Sequence, residues 1–422
     1  MRRSPIHVSQ PPPGVLDIAP YVPGEHDAEG AAEIHVMSAN EGALGASPKA
    51  IAAYEAVGRH LHRYPEGGAT DLRAAIARHH GLEAGRVVCG SGSDELIRLL
   101  TGAYAGPGDE VLFSRHGFAM YPISALACGA KPVAAPETDL RADVDALLAA
   151  VTDQTKILFL ANPNNPTGSH LGPDAVTRLH GGLPETVLLV IDAAYAEYID
   201  RPDYEAGLDL ARNAANVVML RTFSKIHGLA ALRVGWAYGP DHVADVLGRV
   251  RGPFNVNAAA QAAAATALAD TDHVAKAKAH NDRWLPWLAD ELTALGLTAH
   301  PCYQRRQFHP GRLPGNGRQD RRGGGRLSRL ARRHHAPHGR LRPAPVPANY
   351  GGRGTGAEGL RGGTRGVHGG LSVLSFSGGI GQGKGHIGRY QRQNVDICRV
   401  YEPNLAKMST FLAQNDDFSA PE

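Results

Sequence analysis

One lysine in this chain keeps company that chemistry could use. In RTFSKIHGLAALRVG, from Arg221 to Gly235, Lys225 is bounded by Thr222, Ser224 and Arg233. An amine among hydroxyl and guanidinium donors can form a Schiff base with a carbonyl while the donors hold an attached phosphate. A lone lysine after a strand is ordinarily a solvated surface residue, so the reading rests on its companions. VIDAAYAEY places Asp192 at the end of an apolar run, with Tyr195 three residues on. A carboxylate there can keep a ring nitrogen protonated, or serve only as a helix N-cap. In NPNNPTG, Asn165 precedes Pro166, where its amide can bind a phenolic oxygen or simply make a turn. GSGSDELIRLL, from Gly90 to Leu100, is a glycine turn entering a helix whose free backbone N–H groups suit a phosphate, though such turns are common.

These residues need strands to bring them together, and from about Ile51 to Leu295 the sequence supplies them. Short apolar runs (KILFLA, VLLVID, NVVMLR) alternate with alanine-rich helical stretches such as ADVDALLAA and NAAAQAAAATALAD. The alternation predicts an α/β fold, a large mostly parallel sheet covered by helices, with the polar motifs just beyond the carboxyl ends of its strands. DRWLPWLADELTALGL, from Asp282 to Leu297, has the spacing of an amphipathic helix leading into a second, smaller domain. The expected organisation is an N-terminal arm over 1–45, a large domain over 46–282 and the start of a small domain over 283–302.

Composition narrows the function classes. The 422 residues are long enough for a substantial core, and a net charge of +3 points to neither nucleic-acid nor membrane partners. Cys89, Cys128, Cys302 and Cys398 lie far apart with no zinc-site spacing, and no metal is expected. The opening MRRSPIHVSQPPPG lacks an apolar core, and no run of apolar residues is long enough to span a bilayer, so a soluble cytoplasmic protein is expected.

Taken together and in this order, the four motifs resemble those of fold-type I pyridoxal-phosphate aminotransferases, and within them the histidinol-phosphate aminotransferase family. The narrower likeness rests on IAPYVPG, SANEGALGASPKA, RYPEGGATDLRAAIA, FAMYP and RGPFNVNAAAQAAA beside the four motifs, and covers roughly residues 15–302. The resemblance implies pyridoxal 5'-phosphate as cofactor, with Lys225 as the Schiff-base lysine and Asp192 on the pyridine nitrogen. It implies that Asn165 and Tyr195 bind the phenolic oxygen and that Phe118 stacks on the ring. Ser93, Asp94, Thr222, Ser224 and Arg233 would hold the phosphate, and Tyr64 would reach the cofactor phosphate of a second subunit, which implies a homodimer. Tyr21 and Asn40 fall where the family lines its substrate site. The implied reaction is amino-group transfer between L-histidinol phosphate and 2-oxoglutarate, in histidine biosynthesis. An aromatic amino acid aminotransferase and a phosphothreonine decarboxylase of the same fold remain open alternatives.

The resemblance breaks after about Tyr303. From Arg305 to Arg365 there are fifteen arginines, no lysine, and only Asp320 and Glu358 as acids. Such a stretch cannot bury enough apolar surface to offset chain entropy, so 303–370 is expected to be disordered. The family's NFxLVDF-like and LRIT-like strands, the second bearing a carboxylate-binding arginine, are missing. Read one nucleotide later in permitted codons, RQFHPGRLP becomes ANFILVDF, RGGGRLSRL can become EAADAYLAS, and PAPVPANYGG can become LPQCLRITVG. Three windows in one phase recover family-like text in order, which points to a frameshift between about His300 and Arg305 and to a chain whose activity is impaired as translated. Residues 371–422 resemble no known segment and read as translation past the native stop; their GxGxGKG lacks the Walker spacing. A reading of another class is an arginine-rich RNA-binding tail fused to the domain, but Tyr303 and Tyr350 are nearly its only aromatics, too few for base stacking. Genomic sequencing across codons 295 to 310 is expected to reveal the slip; an intact single frame in independent reads would remove it.

Overall fold

The computed structural model describes residues 11–20 and 39–294. Ser47 opens the first long helix, α1 (Pro48–Val57), by accepting bonds from the backbone N–H groups of Lys49 and Ala50, and Pro48 supplies a helical φ at the first turn. The helices α2 (Thr70–His80), α3 (Ser93–Tyr104), α4 (Met120–Ala127), α5 (Val144–Ala149), α6 (Pro173–Gly182), α7 (Leu208–Asn213) and α8 (Asp241–Val250) then alternate with the seven strands of the main sheet, a short hairpin over 137–142 standing apart from it. These are β1 (Val87–Gly90), β2 (Glu110–Ser114), β3 (Lys131–Ala135), β4 (Thr155–Ala161), β5 (Leu188–Asp192), β6 (Val217–Thr222) and β7 (Gly235–Tyr238). The three apolar runs singled out from sequence are β4, β5 and β6.

The strands form one sheet in the order β1-β7-β6-β5-β4-β2-β3. All are parallel except β7, which runs antiparallel to both neighbours. Because helices cover both faces, the central strands carry apolar side chains on each. Leu158 and Leu160 of β4, with Leu189 and Ile191 of β5, join the core on one side; Ile157, Phe159, Leu188 and Val190 join the core on the other. Each such buried side chain contributes about 1.5–3 kcal/mol. The sheet is thereby held rigidly enough to serve as a platform.

Register sets what the platform presents. Ala161 pairs with Asp192, and Asp192 with Leu220, so the chain leaves β4, β5 and β6 at one edge of the sheet. The NPNNPTG, DAAY and TFSK segments follow from those three ends. Opposite them stands the start of α3, placed by the tight turn at Gly92, whose φ of +84° is glycine territory.

Helix α9 (Ala258–Ala269) is capped by Asn257, and its buried Ala260, Ala263, Ala264 and Ala267 form the small-residue side of the core against α1. Ser47 and Lys49 both bind Asp270, at 2.5 and 2.8 Å, pinning α1 to the junction that follows α9. The amphipathic helix expected from Asp282 already begins at Thr271 and runs to Ala294 as α10, with Pro286 inside it. The expected division at 282/283 therefore falls within one helix, because the Thr271–Asn281 half, with Ala277 and Asn281 buried, packs as part of the same element. Residues beyond Ala294, and with them the stretch expected to be frameshifted and disordered and the tail, lie outside the described residues.

Gly228, directly after the lysine turn, has φ +68°, and a Cβ there would overlap the Gly45 carbonyl. Gly228→Ala is expected to destabilise the chain by about 2 kcal/mol or more. Gly58→Ala, where φ is helical and the space is open, should stay within about 0.5 kcal/mol. Paired thermal melts check the contrast, and equal melting temperatures for the two variants would contradict it.

Candidate active site

At the carboxyl edge of the sheet lies a cavity of about 140 Å³. Ten residues singled out from sequence line it: Ser93, Asp94, Phe118, Asn165, Asp192, Tyr195, Thr222, Ser224, Lys225 and Arg233. They come from segments up to 140 positions apart, and the sheet alone brings them together. Asn40 stands at the margin, its amide donating to the Tyr195 hydroxyl at 3.2 Å. Tyr64 does not line this cavity; it stacks on Phe254 with ring centroids 4.7 Å apart and is 82% exposed. Tyr21 lies outside the described residues.

The lysine sits on the turn after β6. Its Nζ donates to the Ala39 carbonyl at 2.8 Å and stands 5.6 Å from the centre of the Tyr195 ring. The turn is tight because Gly228 N–H bonds back to the Lys225 carbonyl at 3.0 Å. Beneath it, Arg221 and Glu197 form a largely buried ion pair at 2.9 Å, tying the lysine strand to the short helix Ala196–Tyr198 after Asp192 and Tyr195. Burial pushes the nearby His227 down to about 4 and His80 down to about 3, so both rings are neutral near pH 7 and leave that pair undisturbed.

Asp192 is the unusual group. It ends a central strand, is 5% exposed, and burial raises its carboxyl to about 6 despite a hydrogen bond from Tyr121. The Tyr121 hydroxyl donates to Oδ2 at 2.9 Å, and the Ala194 N–H to Oδ1 at 3.3 Å. Asn165 is presented by a loop whose geometry Asn164 fixes, its amide bonding the Thr167 hydroxyl at 2.8 Å and the His116 carbonyl at 3.2 Å.

An anion cradle completes the cavity. Helix α3 starts at Ser93 with no side-chain cap on its first N–H groups. Arg233, held in the left-handed region at φ +51°, donates to Ser224 Oγ at 3.3 Å and to Asp94 at 3.0 Å. Asp94 thus anchors the arginine, and what it can offer an anion is its backbone N–H. The cradle depends on missing side chains: a Cβ on Gly92 would lie 2.6 Å from the Arg233 guanidinium, and one on Gly235 would lie 2.6 Å from Ser93 N.

Sequence reasoning missed Tyr121 and the Glu197–Arg221 pair. Both lay inside quoted motifs, FAMYP, DAAYAEY and RTFSK, but only the fold shows that Tyr121 turns inward to Asp192. Among the described residues, no cluster of His, Cys, Asp and Glu could hold a metal ion, and no helix is long and apolar enough to cross a membrane.

An amine, a buried carboxylate, an aromatic face and an anion cradle around one cavity are what a Schiff-base cofactor with a phosphate requires, and the chain belongs to the aminotransferase class I and II family, whose model matches residues 33–300. Its fold is that of the fold-type I pyridoxal-phosphate transaminases. More particularly, it is 59% identical over 291 residues to the histidinol-phosphate aminotransferase of Paramagnetospirillum magneticum, spanning 69% of this chain and 80% of that relative. It is 57% identical to the enzyme of the same name from Rhodospirillum centenum, with the same coverage. Among solved structures, the histidinol-phosphate aminotransferase of Sinorhizobium meliloti, in complex with pyridoxal-5'-phosphate, superposes with a TM-score of 0.61 at 30% identity. The match covers 63% of this chain and 72% of that one.

The raised Asp192 carboxyl has a stability consequence in the cofactor-free chain. An unfolded aspartate titrates near 4, so between about pH 4 and pH 6 Asp192 binds more proton in the folded chain and its own contribution to stability falls as pH rises, opposite in sign to those of His80 and His227. Asp192→Asn should abolish that contribution, leaving the variant more stable than the parent by about 3 kcal/mol above pH 7 and no more stable below pH 4. Melts across pH 4 to 8 check it; parallel curves would contradict the assignment.

Proposed function

We propose that this domain is built to bind pyridoxal 5'-phosphate and to transfer an amino group between L-histidinol phosphate and 2-oxoglutarate, a step of histidine biosynthesis. The observation that carries the reading is the convergence of Lys225, Asp192 and the Ser93–Arg233 cradle on one cavity. The names of the relatives support the choice of substrate. When bound, the cofactor supplies an electron sink for the pair of electrons left at the substrate α-carbon.

The chain's own residues do the rest. Ser93 and Asp94 N–H groups, the hydroxyls of Thr222 and Ser224 and the Arg233 guanidinium bind the phosphate. Asn165 and Tyr195 donate to the phenolic oxygen, and Phe118 covers one face of the ring. A phenylalanine there keeps the stack but offers no hydroxyl. Asp192 holds a proton on the ring nitrogen, and the cation so formed is what would return this buried carboxyl to its ionised form. Lys225 Nζ takes the proton from the substrate α-carbon as general base. The Ala39 carbonyl, within hydrogen-bond reach of that amine, orients it.

We further propose a homodimer. The exposed, mutually stacked Tyr64 and Phe254 support it, since large apolar groups left facing solvent favour a covering partner. Tyr64 is the residue of that group proposed to reach the second subunit's cofactor phosphate. The frameshift is retained as a proposal as well. The family match ends at residue 300, where the arginine-rich stretch is about to begin, and the match to the relative from P. magneticum covers 80% of that relative.

Two measurements test this. Pyridoxal phosphate added to the purified chain should give a visible absorbance band that Lys225→Ala abolishes. Glutamate formation from L-histidinol phosphate and 2-oxoglutarate should be weak for the chain as translated. It should rise on the order of a hundredfold when one nucleotide is removed between codons 300 and 305. Full turnover without that repair would contradict the frameshift, and no turnover with it would contradict the substrate.

A further inference from the structure

We infer that Tyr121 is a positioning residue that fixes two contacts to the cofactor ring as one unit, the Asp192 carboxylate at its nitrogen and the Phe118 ring on its face. The inference rests on the cofactor reading given above. Tyr121 lies in the first turn of α4 and is completely buried. Its ring stacks on Phe159 of β4, with centroids 4.6 Å apart and planes 2° from parallel, and meets Phe118 edge-on at 5.9 Å and 87°. Among the described residues, its hydroxyl donates to Asp192 Oδ2 at 2.9 Å. Swinging the ring away would break the aromatic stack and leave a buried hydroxyl and a buried carboxylate short of a bond. Phe118, Tyr121, Phe159 and Asp192 are therefore locked together.

The bond also has an electrostatic direction. Burial pushes Asp192 toward its neutral form, and Asp94 pushes the same way; the Tyr121 hydroxyl, the Ala194 N–H and the Lys225 ammonium pull back. Tyr195 and Asp94 also face the Tyr121 phenol. Burial and the neighbouring Asp192 hold that phenol well above its ordinary range, so it stays a proton donor at every working pH. A donor that cannot ionise, aimed at a carboxylate that must be ionised to bind a protonated ring, favours the state the cofactor needs.

Tyr121→Phe removes the hydroxyl and keeps the ring. In the cofactor-free chain, the window in which the Asp192 contribution to stability falls with rising pH should move upward from about pH 6, read as the difference between variant and parent. The melting-temperature gap between parent and variant should be small near pH 4 and reach about 2–4 °C above pH 7. With pyridoxal phosphate, the Lys225-dependent absorbance band should require about tenfold more cofactor for half-saturation. In an Asp192→Asn background both effects of Tyr121→Phe should vanish. A gap that does not change with pH, or that persists in the Asp192→Asn background, would show a packing role only and overturn the inference. That result is distinguishable from failure of the cofactor reading, in which the parent itself would show no Lys225-dependent band.

Discussion

A carboxylate at the end of a central strand is an expensive thing to bury, and much of the site follows from how Asp192 is managed. Its two oxygens accept from Tyr121 and Ala194, yet burial still raises it to about 6. Nothing in the sheet requires a carboxylate at that position; an apolar residue would pack there at less cost. The group makes sense as half of a charge pair whose other half arrives with a ligand. The sheet register delivers it beside Ala161 and Leu220, at the edge where the lysine turn and the asparagine loop also emerge.

The same edge explains why the remaining contributors are spread along the chain. Parallel strands need long crossovers, so residues from neighbouring strand ends lie dozens of positions apart in sequence. Short-range constraints then aim each one. Gly228 closes the lysine turn, Asn164 fixes the loop that presents Asn165, and Gly92 and Gly235 let the Arg233 guanidinium and the start of α3 approach each other. The Glu197–Arg221 pair clamps the segment after Asp192 to the strand that leads to Lys225, with the neutral His227 beside it.

Much of this was legible in the sequence. The apolar runs that became β4, β5 and β6 are buried on both faces, and such runs announce themselves by composition. The polar motifs at their ends were legible for the same reason: Asp192 closes a strand, and Lys225, Asn165 and Ser93 each follow a strand or a glycine turn. Contacts that depend on how helices dock were not legible. Tyr121 reads as an ordinary aromatic in a short helix, and only packing against Phe159 turns its hydroxyl to Asp192. The start of α10 was missed because Thr271–Asn281 is rich in alanine, histidine and lysine and shows little apolar periodicity, whereas the tryptophans after it do. Beyond residue 300 the reading rests on composition alone, on arginine without lysine beside glycine and proline.

The claim on which everything else depends is that Lys225 is the amine that captures the cofactor. Incubating the chain with stoichiometric pyridoxal phosphate, reducing with borohydride and mapping the modified peptide by mass spectrometry tests it most directly. The account predicts a phosphopyridoxyl group on the peptide bearing Lys225, and its loss when Arg233→Ala weakens the phosphate cradle. Label spread over the solvent-facing Lys49, Lys131 and Lys156, with Lys225 untouched, would contradict it.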